Sequence, residues 1–229
     1  MGGLALTLGC SSSTATPTPQ TAPIPDDGTV RFDATDGVGL RGRHFGEGDV
    51  AVVMAHMAPA DQESWAVFAE TLAAEGYSVF TFNFRGYPPS DGEKETPRID
   101  ADLEGALRYL EGRGASQFFL VGASMGGTAA VKVAAGRPVL GVVAISAPLE
   151  FQGLRALESD ALLTVPSLFI AAEDDRTAQQ SAAALFEATA QPRLLEIYAG
   201  GEHGTDLVYG RYGDLVQTRI LGFLARYSP

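Results

Sequence analysis

From Val30 onward, short runs of β-branched and aromatic residues alternate with longer stretches whose apolar positions recur at helical spacing. Continuous or period-two apolar runs read as strands, and runs of period 3.6 as helices with one buried face. The pattern predicts strands at 29–34 and 40–45, separated by the Asp36-Gly37 turn signal, and then at 50–55, 77–82, 117–121, 139–145, 165–171 and 194–198. Between them it predicts a helix carrying Trp65, Phe68, Ala69, Leu72 and Ala73 and stopped by Gly76. Further helices follow at 99–111, 125–135 and 177–189, with one closing helix over 207–226. Strands that alternate with helices imply βαβ units around a mainly parallel sheet. The expected architecture is therefore α/β, with eight strands and helices on both faces. The segment between Ile145 and Val165 is too short for a lid of several helices, so the sheet should carry a minimal cap or none.

The first 28 residues have a different character. Gly2 to Leu8 is small and apolar, Cys10 is followed by a Ser, Thr and Pro tract reaching Pro25, and no Lys or Arg precedes Arg31. The expected organisation is a leading segment and tether over 1–28 and one folded domain over 29–229. The run Leu6-Thr7-Leu8-Gly9-Cys10-Ser11 resembles the end of a bacterial lipoprotein signal peptide, in which a small residue precedes the cysteine that is lipidated. Thr7 stands where that pattern prefers an aliphatic residue, and the positively charged start of a secretory signal is missing. The resemblance implies lipidation at Cys10, export to the cell envelope and a flexible tether. Without it the expectation is a cytoplasmic protein.

Composition narrows the chemistry. With 45% hydrophobic and 19% charged residues in 229, a core can be built, and no run approaches the roughly 18 apolar residues of a membrane span. A net charge of −12, without a basic run, argues against a nucleic acid partner. One cysteine cannot form an internal disulfide, and three histidines form no Cys/His cluster of zinc-ligand spacing. No metal and no cofactor are expected.

The chemical signal lies at the junction of the 117–121 strand and the next helix, where Gly122-Ala123-Ser124-Met125-Gly126 forms a G-x-S-x-G elbow. A turn tight enough to hold Ser124 at the tip of the sheet brings backbone close to positions 122 and 126, where side chains would collide. The helix start aims the N–H of Met125 at an oxygen bound beside Ser124. A serine hydroxyl needs a base, and the base needs an orienting acid. His203, the only histidine after Ser124, sits in a glycine-flanked loop after the last strand, and Glu173-Asp174-Asp175 follows the strand before it.

The elbow and the order Ser, Asp, His resemble the α/β hydrolase family over nearly all of Val30 to Tyr227. Members commonly place the acid after a strand as Gly, two variable residues and Asp. Ala172-Glu173-Asp174-Asp175 matches with Ala for Gly, which favours Asp175 and leaves Asp174 as the fallback. His56 matches the histidine of the family's His-Gly segment, which organises the loop that donates the second oxyanion N–H. Met57 replaces the usual Gly, so the donor is Met57 or Ala58, since Pro59 has no N–H. Asn83-Phe84-Arg85-Gly86-Tyr87-Pro88-Pro89-Ser90 is similar to the Asp-x-Arg-Gly-x-Gly-x-Ser segment, which assigns Arg85 to scaffold. His44 reads as a partly buried or edge histidine, and Trp65, Phe84, Tyr87, Met57 and Met125 as core residues within reach of a substrate. The resemblance implies a serine hydrolase acting on esters, short acyl groups fitting an uncapped site best. Thioesterase and dienelactone-type activities share the scaffold, as would a non-catalytic envelope lipoprotein that kept the fold for binding.

Overall fold

The computed structural model describes residues 1–2, 27–158 and 161–229, so Cys10 and the lipoprotein-like run lie outside the described residues. In chain order the elements are β1 (Thr29–Asp33), β2 (Gly39–Phe45), β3 (Ala51–Ala55), α1 (Ala66–Ala74), β4 (Ser78–Asn83), α2 (Ile99–Glu111), β5 (Phe118–Ala123), α3 (Met125–Gly136) and β6 (Gly141–Ile145). There follow the two-residue strands β7 (Glu150–Phe151) and β8 (Leu154–Arg155), then β9 (Ser167–Ala172), α4 (Arg176–Glu187), β10 (Arg193–Tyr198), α5 (Thr205–Tyr209) and α6 (Gly213–Tyr227).

Eight strands form one sheet in the order β1-β2-β4-β3-β5-β6-β9-β10. The β1–β2 and β2–β4 pairs are antiparallel and every other pair is parallel. The central strands β3, β5, β6 and β9 are buried along their whole length, as strands covered on both faces must be. Successive side chains still point to opposite faces. Val53, Leu120, Ala144 and Phe169 pack on one side against α2, α3 and α4. Val52, Val121, Val143 and Ile170 pack on the other against α1, α5 and α6.

Two features differ from the sequence expectation. The closing helix is two helices, α5 and α6, because Gly210 adopts an extended conformation (φ −82°, ψ −153°) and only Gly213 restarts the coil. The link between β6 and β9 also holds a small hairpin, β7–β8, that turns through Gln152 (φ 49°) and Gly153 (φ 88°). No helix stands between β6 and β9 among the described residues, so this hairpin is all the cap they provide. The parallel strands bring their C-terminal ends to one edge, where ligands of open α/β sheets bind.

Candidate active site

Ser124 leaves the C-terminal end of β5 with φ 49° and ψ −119°, a conformation that residues with a side chain avoid. Such a backbone costs about 1–3 kcal/mol and persists only where its surroundings enforce it. The enforcement is visible. The Ser124 N–H donates to the Ile145 carbonyl (2.8 Å), and the Ser124 carbonyl accepts from the Thr128 N–H (3.0 Å). A Cβ on Gly122 would fall 2.3 Å from the Gly126 carbonyl oxygen, and one on Gly126 2.4 Å from that of Ala55. The close approach therefore requires glycine at both positions. Helix α3 starts immediately after Ser124, and the first N–H groups of a helix have no intrahelical acceptor. Those of Met125 to Gly127 precede the Thr128 bond, at the start of α3 directly after the serine.

His203 and Asp175 meet Ser124 from the loops after β10 and β9. His203 Nε2 lies 2.8 Å from Ser124 Oγ, and Nδ1 lies 2.5 Å from Asp175 Oδ2. With Nδ1–H donating to the carboxylate, Nε2 is left to accept the serine proton. Ser124 is buried, whereas the His203 side chain is 41% exposed, so the base is open to a ligand from one side. Asp174 is turned to a different task, its N–H donating to the Gly200 carbonyl (2.8 Å) while the Glu173 N–H donates to that of Tyr198 (2.8 Å). These two bonds zip the acid loop to the base loop. Gly204, next to His203, has φ 59°, and its N–H donates to the hydroxyl of buried Ser146 (3.0 Å).

The loop after β3 closes the third side. His56 Nδ1–H donates to the Met57 carbonyl (2.9 Å) and its Nε2 accepts from the Phe84 N–H (3.1 Å), which fixes the neutral tautomer. Burial holds the imidazole down at about 4, so it stays neutral while it braces the loop. The Met57 sulfur rests 3.6 Å from Thr205 Oγ1, beside the histidine loop. Asn83, standing where the resemblance has Asp, donates through Nδ2 to the Pro88 carbonyl (2.8 Å) and accepts from the Gln62 N–H (2.7 Å), which accommodates the prolines after Tyr87. Arg85 is buried between Asp102 (2.5 Å) and Asp36 (2.9 Å), and its hydrogen bonds hold the Asp36 carboxyl below its ordinary range. Arg85 is thus scaffold beneath the loop.

Ser124, Asp175, His203 and the start of α3 therefore converge, and the Ala55–His56 backbone that leads into the loop of Met57 and Ala58 is packed against the elbow at Gly126. Trp65, Phe84 and Met125 are buried in the core, and Tyr87 is nearly so, its ring against His56 and covered by Lys94 Nζ at 4.0 Å. Met57 alone of those five apolar residues keeps partial exposure at the site. His44 lies away from it, half-buried on β2 with Nε2 3.2 Å from the Tyr109 hydroxyl. Sequence reasoning missed Ser146 and Thr128, whose Oγ1 donates to the Pro148 carbonyl (2.8 Å). Both are hydroxyls at strand and helix ends with partners that local pattern does not announce.

Comparison with known proteins agrees with the fold. The chain is similar to the solved structure of an esterase from Pyrococcus furiosus, with 18% identity, a TM-score of 0.73, and 88% of this chain and 91% of that one covered. It is similar to a monoacylglycerol lipase of Paleococcus ferrophilus (17% identity, TM-score 0.73, 82% and 99% covered). A thermophilic esterase from Thermogutta terrifontis is alike in the same degree (17% identity, TM-score 0.70, 88% and 99% covered). No curated protein matches it in sequence. A family profile described as alpha/beta hydrolase fold matches residues 50–166, from the strand before His56 past the elbow, and the chain belongs to that family.

Proposed function

We propose that the protein is a serine hydrolase that cleaves carboxylic esters of short acyl chains through an acyl-enzyme. The observation that carries this reading is the hydrogen-bonded chain from Ser124 Oγ through His203 to Asp175 at the mouth of the elbow. In it His203 Nε2 takes the hydroxyl proton as Ser124 Oγ forms a bond to the ester carbonyl carbon. Asp175 holds the imidazole in the productive tautomer and stabilises its cation. The oxygen that gains charge is met by the Met125 N–H and by an N–H of the Met57 to Ala58 loop. His203 then returns the proton to the departing alkoxide, and the alcohol leaves. Water repeats the sequence on the acyl-serine and releases the acid and the free hydroxyl.

Similarity of fold to proteins described as esterases and a monoacylglycerol lipase supports the ester as substrate class. The short-chain preference is supported by the small β7–β8 hairpin, which offers little wall to grip a long acyl group. The test is hydrolysis of p-nitrophenyl esters from acetate to palmitate by the full chain beside Ser124→Ala. Turnover should fall with chain length, and the variant should lose about 10⁴ to 10⁶ in kcat. Wild-type turnover by the variant would overturn the assignment.

A further inference from the structure

The last residue of β6 and the one after it touch the elements that carry all three members of the site. The Ile145 carbonyl accepts the N–H of Ser124 (2.8 Å). The Ser146 N–H donates to the Ile170 carbonyl of β9, the strand that leads to Asp175 (2.7 Å). The Ser146 hydroxyl accepts the N–H of Gly204, the residue after the histidine (3.0 Å), and is fully buried. Ser146 reaches that position with φ 50°, a left-handed conformation that a residue with a side chain adopts at a cost. Its neighbours are held firmly, since the Ala147 Cβ lies only 2.8 Å from where a Cβ on Gly127 would be and the Pro148 carbonyl accepts from Thr128 Oγ1.

The base loop is also held by the Asp174 N–H on the Gly200 carbonyl and by the Asp206 N–H on the His203 carbonyl (3.1 Å), but among the described residues the Ser146 hydroxyl makes the hydrogen bond that ties residues 202–204 to the end of β6. Gly204 flanks it with φ 59°, Gly201 precedes Glu202, and the His203 side chain is part exposed. The Asp174 and Asp206 bonds restrain the loop against the acid loop and within its own following turn, while a loop so rich in glycine can still shift relative to the nucleophile unless a backbone atom beside the imidazole is fixed to the sheet. The Ser146 hydroxyl fixes that atom to the strand between the nucleophile and the acid. We infer that Ser146 is a positioning residue, which registers His203 against Ser124 and Asp175 through the Gly204 amide. The inference rests on the esterase reading above. It predicts that the hydroxyl acts on the chemical step and not on substrate binding.

The test compares Ser146→Gly and Ser146→Ala with wild type in the full chain. Glycine suits the left-handed backbone but removes the whole CH2OH group, whereas alanine removes only the hydroxyl, so a loss shared by both variants is the loss of the hydroxyl and not of backbone fit. Ser167→Ala serves as the control, because it removes another fully buried hydroxyl, bonded to the Val165 carbonyl (2.8 Å) at the far end of β9. Both Ser146 variants should lose about 10- to 100-fold in kcat on p-nitrophenyl butyrate, since misplacement of a reacting group by about 1 Å costs that much. KM should stay within about twofold of wild type, fluorophosphonate labelling of Ser124 should slow by the same factor as kcat, and Ser146→Cys, a weak acceptor, should recover part of the rate. Ser167→Ala should retain wild-type kcat. Unchanged kcat and labelling in Ser146→Gly, or an equal loss in Ser167→Ala, would overturn the inference while leaving the esterase reading intact. Absence of Ser124-dependent turnover in wild type would instead remove the esterase reading and this inference with it.

Discussion

Two alanine substitutions in one helix should have opposite consequences. At Gly126, in the first turn of α3, a Cβ would lie 2.4 Å from the Ala55 carbonyl oxygen and 2.6 Å from that of His56. Both partners are backbone at the end of β3, where no side-chain rotation can relieve the overlap. To reach ordinary contact, the helix start and the loop after β3 must part by about 1 Å. Overpacking of this kind costs about 1–3 kcal/mol, against which the better helix propensity of alanine returns up to about 1. Net stability should thus fall by up to about 3 kcal/mol, lowering the melting temperature by about 2–4 °C per kcal/mol in a chain of this size. The rate should suffer more, because the gap opens between Met125 and the Met57 loop, where the proposed mechanism has charge develop, and about 1 Å there is worth about 10² in kcat. At Gly136, in the last turn of the same helix, a Cβ meets nothing within 4 Å, so alanine should stabilise slightly and leave kcat unchanged. Thermal unfolding by circular dichroism and p-nitrophenyl butyrate kinetics on both variants decide the matter. Full activity in Gly126→Ala would refute the steric argument for the elbow.

Asp175→Asn should lower kcat by about 10⁴, because an amide holds the imidazole in the wrong tautomer, whereas Asp174→Asn should retain wild-type kinetics; the reverse order would exchange their roles. His56 is held down at about 4 by burial, below its unfolded value near 6.5. The unfolded chain therefore binds a proton first on acidification, and stability present above about pH 6.5 is lost as pH falls toward 4, by about 2 kcal/mol at pH 5. Half-buried His44, also lowered to about 4 by burial and by Arg113, adds to the same slope. Urea midpoints at pH 7 and pH 5 should show it, and a flat profile would contradict the buried neutral imidazole. Asp102→Ala leaves the buried Arg85 guanidinium without its closest carboxylate and should cost about 3–5 kcal/mol, read as a shift in urea midpoint with no change in slope.

Much of the fold is legible because covered parallel strands are apolar throughout and helices between them are not. Each of the eight main strands falls within two residues of its expected position at either end. The break between α5 and α6 escapes such reading for a physical reason. Leu207 and Val208 on one side of Gly210 and Val216, Ile220 and Leu224 on the other all pack on the same face of the sheet. Apolar spacing reports which face is buried, not whether the helix between the apolar residues is continuous. The β7–β8 hairpin escapes because strands of two residues have no period, and its Gln152-Gly153 turn is the only local trace of it.

The site divides along the same line. Ser124, Asp175 and His203 can be picked out because each chemical role admits few residue types and the chain offers one histidine in the right place. The parts that hold them are harder to read, because a backbone amide has no identity in a sequence. Gly204 is separated from Ser146 by 58 positions, and the bond between them needs only a hydroxyl on one side and any N–H on the other. The same is true of Ile145 beneath Ser124 and of Ile170 beneath Ser146. What limits a reading from sequence is therefore the share of the geometry that runs through the main chain. In this protein that share is large, since glycine at 122, 126 and 204 exchanges side chains for close approach of backbone to backbone or, at 204, to the Met57 sulfur.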